Sequence, residues 1–202
     1  MKGDRKRDRR TRYTIKAIKD AFLSLEKEMA YDEISVKKLC ERAEISRATF
    51  YLHYDELGEV LDEVLDDALL FSEESNENTL DLIDVIQSDK IPDVRENEAV
   101  LPACQRIADS HKYHDLFIDA SLGEYIIMRI SNHEHDRVIP DLMGRTGLSE
   151  EYAELLFRFM LHGSFYVNKL LKWEKNDTWY DFQKLLSAFL DAGINEVSKK
   201  RE

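Results

Sequence analysis

Residues 34–61, ISVKKLCERAEISRATFYLHYDELGEVL, constrain the fold more than any other stretch of the chain. Two short amphipathic segments stand on either side of a three-residue break, and the second begins SRATFYLHY. Ser35 and Ser46 each sit where a side-chain oxygen caps a helix N-terminus. The first segment turns Val36, Leu39, Cys40 and Ala43 inward. The second is too short for a core helix, yet it is crowded with hydroxyl, basic and aromatic residues. A helix that rests on a phosphate backbone and shows side chains to base edges needs that mixture. The pattern predicts a helix-turn-helix and makes duplex DNA the expected partner.

The rest of the chain reads as helix. Of 202 residues only 3 are proline and 7 glycine, and 43% are hydrophobic, enough for a sizeable core. Ile15, Ile18, Phe22, Leu25 and Met29 alternate by three and four, which predicts a first helix over roughly 11–29 behind a flexible basic arm, DRKRDRRTR. Asp55 is placed to cap a fourth helix whose inner face carries Leu57, Val60, Leu61, Val64, Leu65, Ala68 and Leu69. Polar residues 72–79 end or loosen it. The amphipathic stretch LDLIDVI follows, then a loop, SDKIPDVRENEAVLPA, with a helix start near Asn97. Helical spacing resumes over 98–137 with a break at His111–His114, and PDLMGRTGL at 140–148 reads as a turn-rich break. Ser149 with Glu150 and Glu151 opens a helix to about Glu174, and Asp177 or Thr178 opens the last, to about Val197. These final two helices carry broad apolar surfaces, Leu155, Leu156, Phe159, Met160, Tyr166, Val167, Leu170 and Leu171 on one, Phe182, Leu185, Leu186, Phe189, Leu190 and Ile194 on the other. That is more than an intrachain core requires, and a four-helix interface with a second copy is expected.

Charge divides the chain. Residues 1–54 hold 14 Lys and Arg against 9 Asp and Glu, and residues 55–202 hold 15 against 32, within a net charge of −12. An acidic body repels a polyanion, so the basic end is expected to face DNA with the body turned away. No apolar run reaches the ~20 residues of a membrane span, and the N-terminal charges precede no apolar stretch, so no membrane partner is expected. Cys40 and Cys104 form no disulfide framework, and a cytoplasmic protein is expected.

Ordered motifs support a resemblance. With an amphipathic helix before them, ISVKKLCERA (34–43) and ISRATFYLHY (45–54) resemble the DNA-binding domain of the tetracycline-repressor-like (TetR) family of regulators. HGSFYVNKLLKWEKND (162–177) resembles the C-terminal domain of one branch, where a glycine-bearing helix leads to a tryptophan before the last helix. The resemblance implies an all-α chain: a three-helix DNA-binding domain at 1–56 joined to a helical ligand-binding and dimerisation domain at 57–202. It implies a homodimeric transcriptional regulator, usually a repressor, answering to a small-molecule effector. Two positions depart from the pattern: Glu44 stands where the tight turn commonly has glycine, and Leu57 where the fourth helix commonly has a phosphate-binding lysine. A helical interaction module with weakened DNA binding is the alternative these departures motivate.

The candidate DNA-binding residues are Lys37, Ser46, Arg47, Thr49, Tyr51 and His53. Arg47 is expected to pair with guanine, and the hydroxyl and imidazole groups with phosphates. Phe50 and Tyr54 are expected in the core. Candidate effector contacts are Tyr113, Phe117, Tyr125, Met128, Phe159, His162 and Tyr166, all aromatic or soft side chains at helical spacing. No cofactor is expected. His111 and His114 form H-x-x-H, and His133 and His135 form H-E-H, but an i,i+2 pair cannot face one way on a helix, so no metal site is expected. With no phosphate loop, no G-x-S-x-G and no H-E-x-x-H, no catalytic residue is proposed.

Overall fold

The first helix forms because its apolar residues repeat once per turn. A computed structural model describes residues 2–74, 95, 105, 107–108 and 110–199. Helix α1 runs Lys2–Glu26, and Ile18, Phe22 and Leu25 are fully sequestered on one side of it. The basic arm expected to be flexible is the first part of this helix. Lys and Arg have good helix propensity, and nothing between Asp4 and Arg12 breaks a helix. A 3₁₀ turn at Tyr31–Glu33 leads to α2, Val36–Arg42, and α3, Arg47–Phe50. Helix α4 covers Leu57–Glu74 and buries the face expected of it, with Leu57 partly covered at its start. The Glu59 carboxylate accepts the Asp55 backbone N–H at 2.6 Å and tightens this start. LDLIDVI, the proline-bearing loop apart from Arg95, and the helix start near Asn97 lie outside the described residues.

The chain continues as α5 (His114–Ile118), α6 (Gly123–Thr146), α7 (Glu150–Leu170) and α8 (Asp177–Lys199). Every element among the described residues is helical: the chain is all-α with an N-terminal helix-turn-helix. No helix there is long and apolar enough to cross a membrane.

Two further boundaries differ from expectation. Helix α6 passes through Pro140 and stops only at Gly147, whose φ of 65° reverses the chain. Val138, Ile139, Leu142 and Thr146 are all buried, so core packing holds the last turns helical despite the lost N–H of the proline. Helix α7 ends at Leu170 instead of Glu174. Lys172 and Trp173 both have positive φ, at 51° and 48°. The Trp173 N–H donates to the Asn168 carbonyl at 3.0 Å, and that of Lys172 to Lys169 at 3.0 Å, the bond pair of a Schellman motif. Burial of Trp173 against Phe117 and Phe165 stabilises this backbone.

Helices α7 and α8 are joined by a buried polar network. The Asn168 side chain accepts from Trp179 Nε1 and Gln183 Nε2, each at 2.8 Å, and donates to the Ser164 carbonyl at 2.8 Å. Asn168, Trp179 and Gln183 are all buried. A satisfied network of this kind fixes one register between two helices that apolar packing alone leaves free to slide.

Glu44 occupies the left-handed position of the helix-turn-helix, with φ 55°. Ile45 N–H donates to the Cys40 carbonyl at 3.0 Å and Glu44 N–H to Glu41 at 3.3 Å, a second Schellman turn. The turn therefore keeps the geometry that glycine favours and carries the strain of a Cβ. Glu44→Gly is expected to raise stability by about 0.5–1 kcal/mol in chemical denaturation, with the α2–α3 angle unchanged.

Candidate nucleic-acid interface

The surface around α3 is built by two caps and one buried aromatic pair. Ser35 Oγ accepts the Lys38 N–H at 3.3 Å and starts α2. Ser46 Oγ accepts the Thr49 N–H at 3.0 Å and starts α3. Backbone bonds from His53 and Tyr54 to the Phe50 carbonyl, at 2.9 and 3.0 Å, carry the helical turn past the end of α3. Phe50 and Tyr54, one turn apart, are buried with ring centroids 5.7 Å apart, as expected of core residues. Tyr54 Oη donates to Glu63 at 2.9 Å and ties the segment to α4.

With Phe50 and Tyr54 inside, helical geometry sends the other residues outward. Ser46, Arg47, Ala48 and Tyr51 are exposed, and Thr49 and His53 are half-buried. Arg47 has no ion-pair partner among the described residues, so its guanidinium is available to an external anion or base edge. The Ser46 and Thr49 hydroxyls lie 2.8 Å apart. One proton serves that bond, which leaves one hydroxyl hydrogen for a phosphate oxygen. Lys37 is exposed on α2, 3.8 Å from Glu41 in a loose i,i+4 pair that water screens. All six sequence-derived candidates thus lie on or beside the exposed side of α2–α3.

Four carboxylates farther along α4 are paired within the chain. Lys19 on α1 pairs with Asp67 at 2.6 Å and Glu63 at 3.5 Å. Arg129 on α6 pairs with Asp66 and, at 3.6 Å, with Asp62. Asp55, Glu56 and Glu59, the acidic residues that directly follow the α3 segment, are exposed and have no ion pair with a cation among the described residues. Leu57, in place of a cation, packs against the core.

The seven effector candidates do not converge. Tyr113 and Phe117 are buried, Phe117 in van der Waals contact with Phe165 and Trp173. Tyr125 is half-buried, and its hydroxyl donates to Asp62. Burial, then that hydrogen bond, pushes the Tyr125 hydroxyl up to about 12. Met128, Phe159, His162 and Tyr166 lie on the outer surface of the chain. Helical spacing alone does not say which of two apolar faces turns inward, and on α7 the inner one carries Ala153, Phe157, Met160, Leu161 and Phe165. Among the described residues no group of three or more His, Cys, Asp or Glu is placed to hold a metal. His114 Nδ1 sits 2.7 Å from the Ala108 carbonyl, and His135 lies between Asp136 and Glu154.

Sequence reading missed a junction that the fold makes conspicuous. Asp119, between α5 and α6, accepts the Tyr31 backbone N–H at 2.9 Å and the Ser121 N–H and hydroxyl at 2.6 and 2.7 Å. Burial raises the Asp119 pKa, but these bonds outweigh it and hold the carboxyl below its ordinary range. Glu26, the last residue of α1, is buried nearby with both carboxylate oxygens lacking a hydrogen-bond partner. Burial, then the charges of Asp119 and Asp115, push it up to about 8. Nothing in the local sequence marks Glu26, because an acidic residue at a helix end reads as surface.

No protein-family model matches the chain. No curated protein matches it in sequence. Among solved structures it is similar to one described as "Dihydroxyacetone kinase operon activator DhaS", at 16% identity and a TM-score of 0.36, over 93% of this chain and 95% of that one. A superposition that loose does not define a shared function.

Proposed function

We propose that the protein is a sequence-specific, DNA-binding transcriptional regulator that acts as a homodimer and works by binding, not catalysis. The observation that carries this reading is the exposed side of the α2–α3 turn. There Arg47, Tyr51 and the Ser46–Thr49 hydroxyl pair stand together over a buried aromatic anchor, in the more basic quarter of an acidic chain. Arg47 reads guanine through its O6 and N7, and Lys37, Tyr51, His53 and the free hydroxyl hold phosphates. In a symmetric dimer the two segments enter successive major grooves roughly 34–36 Å apart on a near-palindromic operator.

Dimerisation is supported by unpartnered apolar surface. Leu155, Phe159, Tyr166 and Leu170 form a stripe on α7, and Leu185 and Phe189 form one on α8, each more than half exposed. Gly163 and Gly193 lie along the same stripes, and a Cβ added at either would meet nothing within 4 Å. Repression, relieved by a small-molecule effector bound among the C-terminal helices, belongs to the same proposal. The effector would favour a dimer with mismatched half-site spacing, and moving the population from 1:99 to 99:1 takes roughly 5.5 kcal/mol of preference.

Arg47→Ala tests the reading directly. The variant is expected to remain a folded dimer and to lose about 1–3 kcal/mol of preference for its selected duplex over a scrambled one. Both proteins are expected to bind more weakly as salt rises, since phosphate contacts release counterions. Unchanged preference in the variant places the recognition segment elsewhere.

A further inference from the structure

The exposed side of α3 is only half accounted for by polar contacts. Opposite Phe50 and Tyr54 it presents four residues at i, i+1, i+4 and i+5: Arg47, Ala48, Tyr51 and Leu52. Ala48 and Leu52 lie one turn apart and form an apolar strip beside the Arg47–Tyr51 strip. Leu52 is 79% exposed, the highest value among the large apolar side chains of the described residues, and Tyr51 is 55% exposed. The Leu52 N–H donates to the Thr49 carbonyl at 3.3 Å, so its backbone is held in the turn while its side chain projects. Core packing does not explain a leucine there.

We infer that the Ala48–Leu52 strip reads the C5-methyl groups of thymine in the major groove, next to the base contacted by Arg47. The inference rests on the regulator reading above and assigns part of its sequence preference. A thymine methyl is the apolar feature a major groove offers, and aliphatic side chains recognise it by excluding water. The setting favours DNA over a protein partner as occupant. The strip is narrow, it is flanked by the Arg47 cation, which has no ion-pair partner among the described residues, and it belongs to the basic end of the chain. A protein-binding patch is broader and rimmed by polar residues on all sides. The predicted half-site therefore places one or two thymines directly beside the guanine read by Arg47.

The test uses the full-length protein and a duplex chosen by selection from a random pool. Each thymine is replaced in turn by deoxyuridine, which pairs identically and lacks only the methyl group. Binding is followed by fluorescence anisotropy. One or two positions per half-site are expected to lose about fourfold in affinity for each methyl removed. Leu52→Ala is expected to bind the thymine duplex more weakly and to lose most of that sensitivity. A flat deoxyuridine scan with the unaltered protein overturns the inference while leaving the regulator reading intact. So does a Leu52→Ala protein as sensitive to the methyl as its parent. A change in oligomeric state of Leu52→Ala without DNA, seen by sedimentation, would assign the strip to a protein contact and overturn it as well. If selection enriches no duplex, the regulator reading fails and takes this inference with it.

Discussion

Replacing Phe159 and Phe189 together with glutamate is expected to give a folded monomer that binds its operator at least about a hundredfold more weakly. Both side chains are about two-thirds exposed in the single chain, at 66% and 64%, so the substitution leaves the intrachain core untouched. The inner face of α7 keeps Phe157, Met160 and Phe165, and α8 keeps Trp179, Leu190 and Ile194. In a four-helix interface the same positions face a second copy, where an unpaired carboxylate is costly to desolvate. Loss of the second subunit removes the second half-site from each binding event. Linked sites gain factors of about 10²–10⁴ over single ones, which sets the expected size of the defect. Sedimentation velocity reports the oligomer, circular dichroism the fold, and duplex titration the affinity. A double variant that remains dimeric would move the interface off these two helices.

Glu26→Gln is expected to stabilise the protein at alkaline pH by on the order of 2–4 kcal/mol and to leave it nearly unchanged at pH 5. Glu26 is buried at the end of α1 without a hydrogen-bond partner or a cation, beside Asp119 and Asp115, and it keeps its proton up to about pH 8. The C-terminal end of a helix dipole disfavours the carboxylate further. An unfolded chain releases that proton near 4.5, the ordinary value of the group. The stabilising contribution of the neutral carboxyl is therefore complete below the unfolded value and is lost as pH rises through about 8. Glutamine is neutral throughout, so it carries no such cost at any pH. Denaturation midpoints from pH 5 to 9 are expected to diverge, with the wild type falling and the variant flat over this interval. Parallel curves would mean that Glu26 reaches solvent. Under the proposed function the effect matters because Glu26 and the Tyr31–Asp119 bond lie where the N-terminal helices meet the α5–α6 junction.

How much was legible in the sequence depended on whether local chemistry or tertiary packing decided each feature. The caps at Ser35 and Ser46 and the inward set on α4 follow from short-range rules, and the structure has them, with Leu57 partly covered. Pro140 was misleading because burial of Ile139 and Leu142 outweighs a local breaker. Lys172 and Trp173 curtailed α7 for the same reason, since the indole enters a core whose existence no local rule reveals. On α7 the apolar residues encircle most of the helix, so spacing does not separate Phe159 and Tyr166, which stand outside, from residues that line the interior. The Asn168–Trp179–Gln183 network was missed because its members sit in two helices and each alone resembles an ordinary surface polar or core aromatic residue. Ala48 and Leu52 carry no signal of their own in a segment whose neighbours are polar or aromatic.

The central claim, that the α2–α3 surface reads DNA sequence, is tested most directly by incubating the purified full-length protein with a random duplex pool at near-physiological salt and sequencing what it retains. The expected result is an enriched near-palindrome with half-site centres one helical turn apart, each containing guanine beside thymine. A folded protein that enriches no sequence over several rounds would contradict the account.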